Sequence, residues 1–172
     1  MNRNKIIIFS ALLIAGFGLL FYLGSPEKAP HSEVKNFIRN YEGKKGFAII
    51  KMPDFLMGQV LPDPDSSDIR KENFSSFRVM IFHQRDSEQY NCQETQQAML
   101  TFLDSLKFSR ILEKNESNRL MMVYQKPQKG QWNEHVTIYS SDSTLFVFDF
   151  INNLKEKQVI DFSRQLDYQD FL

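Results

Sequence analysis

Apolar residues first form an unbroken run without a single charge, Ile6–Leu23, and then fall into shorter stretches with helical or strand spacing. Beyond the run, Ser32 precedes Val34, Phe37, Ile38 and Tyr41 at i, i+3, i+4 and i+7, which predicts a capped amphipathic helix stopping near Gly43. "FAIIKM" at Phe47–Met52 has the length and apolar density of a strand. Pro53 ends it, and "DFLMGQVL" predicts a brief helix. The stretch Pro62–Ser76, rich in Pro, Asp and Ser, predicts a long exposed loop. "FRVMIF" at Phe77–Phe82 predicts the next strand, and Glu94–Leu106 a helix with Met99, Phe102, Leu103 and Leu106 along one stripe. "SRILEK" at Ser109–Lys114 is a weaker strand signal. Stronger ones follow at Arg119–Gln125, His135–Ser140 and Thr144–Ile151, joined by "KPQKGQ" as a loose turn and "SSDS" as a tight hairpin. A last helix, Lys155–Leu166, aligns Val159, Phe162 and Leu166.

This order predicts an α+β fold: a mainly antiparallel sheet of about five strands with amphipathic helices packed on one face, preceded by an N-terminal hydrophobic helix. The strand "TLFVFDFI" adds a demand. Leu145 and Val147 point to one face and Phe146, Phe148 and Phe150 to the other, so both faces are apolar and the second needs a cover. The short helix after Pro53, a partner chain or a bound apolar ligand would each supply one.

As a helix, Ile6–Leu23 would span roughly 27 Å, close to the roughly 30 Å of a hydrocarbon core. Arg3 and Lys5 in front of it hold the N-terminus in the cytoplasm and direct the rest across. Leu23-Gly24-Ser25 makes a poor cleavage site because Leu23 is large. Residues 1–24 therefore read as a signal anchor or, alternatively, a signal peptide, residues 25–31 as a linker, and 32–172 as a single α+β domain. The expected location is the cell envelope, on the exported, periplasmic side of the inner membrane, with the membrane as a partner through the N-terminal helix. Cys92 is the only cysteine, so no residue near Ser25 can take a lipid and no internal disulfide can form; it reads as a small buried apolar residue. The chain carries 21 basic and 21 acidic residues, and losing Arg3 and Lys5 leaves a slight acidic excess. No nucleic-acid partner is expected from such a balance.

The sequence offers little chemistry. His31, His83 and His135 have no His or Cys at metal-ligand spacing; His83 and Cys92 make a weak pair. Asp63, Asp65 and Asp68 resemble the start of a calcium loop, but Pro64 intervenes and neither the glycine nor the bidentate glutamate follows. With seven glycines the chain has no G-x-S-x-G elbow, phosphate loop or dinucleotide fingerprint. Glu94 complements a helix start, and Asp142 and Asp149 are paired carboxylates that nothing further marks. No catalytic, metal or cofactor-binding residue is named. Trp132, in the turn "KGQWNE", either folds onto the core or stands as an exposed anchor.

The segment "VKNFIRNYEGKKGFAIIKMPDFLM", the helix "QQAMLTFLDSLKF", the stretch "RLMMVYQKPQKGQWNEHVTIYSSDSTLFVFDFI" and the closing amphipathic helix together resemble the DUF4252-like family of exported Bacteroidota proteins. The resemblance covers Val34 to Leu166. It rests on "AIIKM", like that family's short serine-or-alanine, isoleucine, lysine strand, and on the strand pair in "VTIYSSDSTLFVFDF". It implies a small envelope domain of unknown function and supplies no site residue. Family members often carry a lipoprotein signal, from which this chain departs.

These readings lead to a non-catalytic envelope interaction module, working through a protein partner, a second copy of the chain included, at an apolar surface of Phe146, Phe148, Phe150 and Trp132. The first alternative is a carrier of a small apolar ligand, its pocket lined by Phe146, Phe148 and Phe150 with Met80, Phe82, Met121 and Met122. An unrecognised hydrolase using scattered carboxylates is the second.

Overall fold

The computed structural model describes residues 31–52, 69, 73–116 and 118–166. Both the hydrophobic helix expected at the N-terminus and the helix expected after Pro53 lie outside them. Within them run α1 (Lys35–Arg39), β1 (Phe47–Lys51), β2 (Phe74–His83), α2 (Cys92–Ser105), β3 (Ser109–Glu116), β4 (Arg119–Pro127), β5 (Asn133–Ser140), β6 (Thr144–Asn152) and α3 (Glu156–Gln165). The fold is α+β.

Six strands, rather than about five, form one sheet in the order β1-β2-β6-β5-β4-β3, and every neighbouring pair is antiparallel. The weak "SRILEK" signal is a full edge strand. From β2 the chain crosses over the sheet through α2 to the far edge, and β3 to β6 return as a meander that closes against β2.

Helices cover both faces of the sheet, not one. Met80, Phe82, Met122, Val136, Ile138, Leu145 and Val147 pack beneath Val34 and Ile38 at α1 and Cys92, Met99 and Leu103 of α2. On the other face, α3 lays Val159 and Phe162, with Leu166 just beyond, over Phe77, Val79, Phe146, Phe148 and Phe150. The Phe162 ring lies 5.6 Å from Phe150 and 6.3 Å from Phe77. Period-two alternation along β6 makes both faces apolar, and the chain's last described helix covers the second.

Local chemistry fixes the joints. Gly46, at φ +85°, accepts from the His83 N–H at 2.9 Å, and a Cβ there would lie 2.9 Å from that of Ser87. Only glycine fits. The Asn91 side chain caps α2 by accepting from the Glu94 N–H at 2.9 Å. At its other end, Phe108 N–H bonds to the Leu103 carbonyl at 3.1 Å and Lys107 N–H to Asp104 at 3.0 Å, with Lys107 at φ 64°. This is a Schellman ending with lysine where glycine is usual.

Candidate functional site

Buried polar residues gather at the sheet end that receives α1. Arg78 of β2 and Asp149 of β6 are register partners, and Glu134 of β5 points to the same face. Arg78 Nη1 and Ser32 Oγ each donate to Asp149 Oδ2 at 2.6 Å. Glu134 accepts from the N–H of Glu33 and of Val34, both at 3.1 Å, and from Gln128 Nε2 at 3.0 Å. Ser32 Oγ caps α1 by accepting from the Lys35 N–H at 2.9 Å, as the sequence predicts, while the Glu134 carboxylate from the sheet satisfies the two amides just before the helix. Lys126 Nζ pairs with Glu33 at 2.6 Å on the rim.

Asp149 is fully buried, and its carboxyl is pushed up to about 7, first by desolvation and then by the neighbouring Glu134, against the pull of Ser32 and Arg78. Asp149 and Glu134 stand on neighbouring strands and face the same side of the sheet, so the Glu134 charge works against ionising Asp149. Like charges this close cannot both ionise cheaply. Asp149 Oδ1 and Arg78 Nε are buried without a hydrogen-bond partner. Neither acid lines a described cavity, and Asp149 and Glu134 are both 0% exposed. The buried cluster fastens the start of α1 to the sheet.

His135 is the corresponding buried group on the α3 face. Leu154 N–H donates to Asn152 Oδ1 at 2.9 Å, which turns the Asn152 amide nitrogen toward His135 Nδ1 at 2.8 Å. The ring proton therefore sits on Nε2, which is buried without a partner. Desolvation pushes His135 down to about 3, and the neutral ring stacks on Phe150 at 5.7 Å.

A half-open cavity of about 440 Å3 lies on this same face at the opposite end of β5 and β6. Its floor is Met121, Tyr139 and Phe146, and Lys114, Arg119 and Arg164 stand around it. The Tyr139 hydroxyl donates to the Ser163 carbonyl and the Thr137 and Ser163 hydroxyls lie 2.8 Å apart, which pins the end of α3 beside the opening. A second, shallower hollow near Gln84–Asn91 is lined chiefly by polar side chains.

The residues expected at an apolar surface are not together. Phe148 and Phe150 are 0% exposed and Phe146 is 2% exposed, so they form core beneath α3, and only Phe146 borders the cavity. Trp132 is half-buried in the β4–β5 turn at the other end of the sheet. The expected carrier lining divides likewise. Met80, Phe82 and Met122 face α1 and α2, while Met121 faces α3, because adjacent strand residues point to opposite faces.

Cys92 is buried, with Sγ 3.4 Å from the Ser141 carbonyl, and burial pushes its thiol up. Asp142 lies in the β5–β6 turn at the opposite end of β6 from Asp149, so they are not a pair. His31 is exposed, and His83 sits 3.4 Å from the Thr144 hydroxyl. Asp63, Asp65 and Asp68 lie outside the described residues. Among the described residues no three His, Cys, Asp or Glu side chains gather as metal ligands, and no helix is long and apolar enough to cross a membrane. Sequence reasoning named Ser32 as a cap, which it is, but not its bond to Asp149, and it passed over Arg78 and Glu134. A signal existed: Arg78 and Asp149 are lone charges inside apolar strands, which asks for a buried partner.

No family model matches the chain, and no curated protein matches it. Among solved structures it is similar to PA94, a protein of unknown function from Pseudomonas aeruginosa, at 9% identity and a TM-score of 0.35 over 72% of this chain and 82% of that one. A likeness this remote carries no argument about function.

Proposed function

We propose that this protein is a non-catalytic envelope module that binds a small, largely apolar ligand in the cavity beside Phe146, held on the exported side of the inner membrane by Ile6–Leu23. The resemblance to the DUF4252-like family gives the same setting. The observation that carries the reading is the cavity: about 440 Å3 falls in the roughly 300–1,000 Å3 range of small-molecule sites, and Met121, Tyr139 and Phe146 give it an adaptable apolar floor. A protein-docking patch has less support, because Ile50 is the one exposed large apolar residue among those described.

The neutral, apolar dye Nile red tests this on the full-length chain in nanodiscs, read through the methyl NMR signal of Met121. Saturable movement of that signal is expected, abolished by Met121→Trp, which fills the floor. Binding unaffected by Met121→Trp, or a Met121 signal that never moves, sinks the proposal.

A further inference from the structure

Resting on the reading of that cavity as a ligand site, we infer that its ligand is a single-chain carboxylate, its tail on the floor of Met121, Tyr139 and Phe146 and its head among Lys114, Arg119 and Arg164. Strand alternation puts Lys114, Arg119 and Met121 on the α3 face of β3 and β4, and the last turn of α3 brings Arg164 to the same opening. Three cations therefore flank one apolar floor, and the described lining includes no carboxylate. Arg164 also meets Asp161 at 3.7 Å, outside the lining, and Lys114 and Arg119 have contacts of their own within the chain. Glu116 is the register partner of Arg119, so with Asp161 two acids are placed near three cations, and the part of the cations is the field of a net positive excess over the opening, not a set of vacant donors.

Charge and shape together select the class. A neutral hydrocarbon would leave the field unused, and a cationic amphiphile would be repelled by it. The hydroxyl residues Ser141 and Thr144, also on the lining, suit an oxyanion head. The volume lies in the lower half of the usual range, which fits one chain better than two. Because Lys114, Arg119 and Arg164 are all exposed, the head stays hydrated at the mouth while the tail is buried.

Octanoate, octanol and octyltrimethylammonium share a chain and differ in head charge, so they separate the parts of the inference. Each is titrated into the full-length chain in nanodiscs, following the Met121 methyl signal, with Arg119→Gln/Arg164→Gln as the charge variant and Lys114→Gln as an independent one. Octanoate is expected to bind at least about fivefold tighter than octanol, roughly 1 kcal/mol. That margin should shrink in both variants and with added salt, while octanol affinity stays unchanged. Octanol binding as tightly as octanoate, or the cation binding best, overturns the inference and leaves the cavity as an apolar ligand site. No movement of Met121 with any of the three, nor with Nile red, overturns both.

Discussion

Asp149 and His135 point to opposite faces of the sheet and titrate in opposite senses. Folded Asp149 keeps its proton up to about 7 against an ordinary value of 3.8, so the folded state holds the extra proton in between and stability falls as pH rises from about 4 to about 7. Folded His135 stays neutral down to about 3 against 6.5, so the unfolded state holds the extra proton and stability rises with pH between about 3 and 6.5. Where the windows overlap the two slopes cancel. Asp149→Asn keeps an acceptor for Ser32 and Arg78 and removes the charge that faces Glu134. In urea titrations this variant is expected to gain stability steadily from pH 4 to 6.5 and to match or exceed the parent at pH 8. A loss above about 1 kcal/mol at pH 8 would show instead that the fold needs Asp149 as an anion.

At the scale of elements, α1 depends on the sheet more than on itself. Five residues are too few to hold a helix in water, and beside the local cap from Ser32 on Lys35 the two amides before the helix are satisfied by Glu134 from the sheet. Glu134→Leu keeps the bulk and removes the acceptor. Its expected effect is a loss of roughly 2–5 kcal/mol, the range for leaving buried donors unpaired. Hydrogen exchange should quicken first at Glu33 and Val34, and the Asp149 pKa should fall as its neighbouring charge disappears. Exchange that quickens evenly over the whole domain, with α1 no worse than β4, would contradict this picture of a helix latched from beneath. Here the sequence was partly legible. Ser32 and the stripe of Val34, Phe37, Ile38 and Tyr41 predict the helix, its local cap and its buried side, yet periodicity cannot show that the two amides before it are held by a strand a hundred residues further on.

Across the whole molecule, two apolar layers share one sheet, so neither face can come apart without exposing strands that the other face needs. A single unfolding transition is expected, with Trp132 fluorescence and far-UV circular dichroism coincident in urea. Val159→Ala, on the α3 side, should shift both probes to the same lower midpoint by about 1–2 kcal/mol. Separate transitions for the two probes would mean two independent units. The sheet's described edges suit a domain that resists pairing with itself: β1 is only five residues long, and β3 carries the exposed Arg110, Glu113 and Lys114. By itself the sequence determined the elements and their faces, because helical and strand periods are written in neighbouring residues; it also determined, through "TLFVFDFI", that the second face of the sheet had to be covered. Only the tertiary structure decided that α3 is the cover, that Met121 and Met122 belong to different layers, and that Arg78, Asp149, Glu134 and Ser32 meet. Those outcomes depend on strand order and on pairings between residues far apart in the chain, and local periodicity carries no record of them.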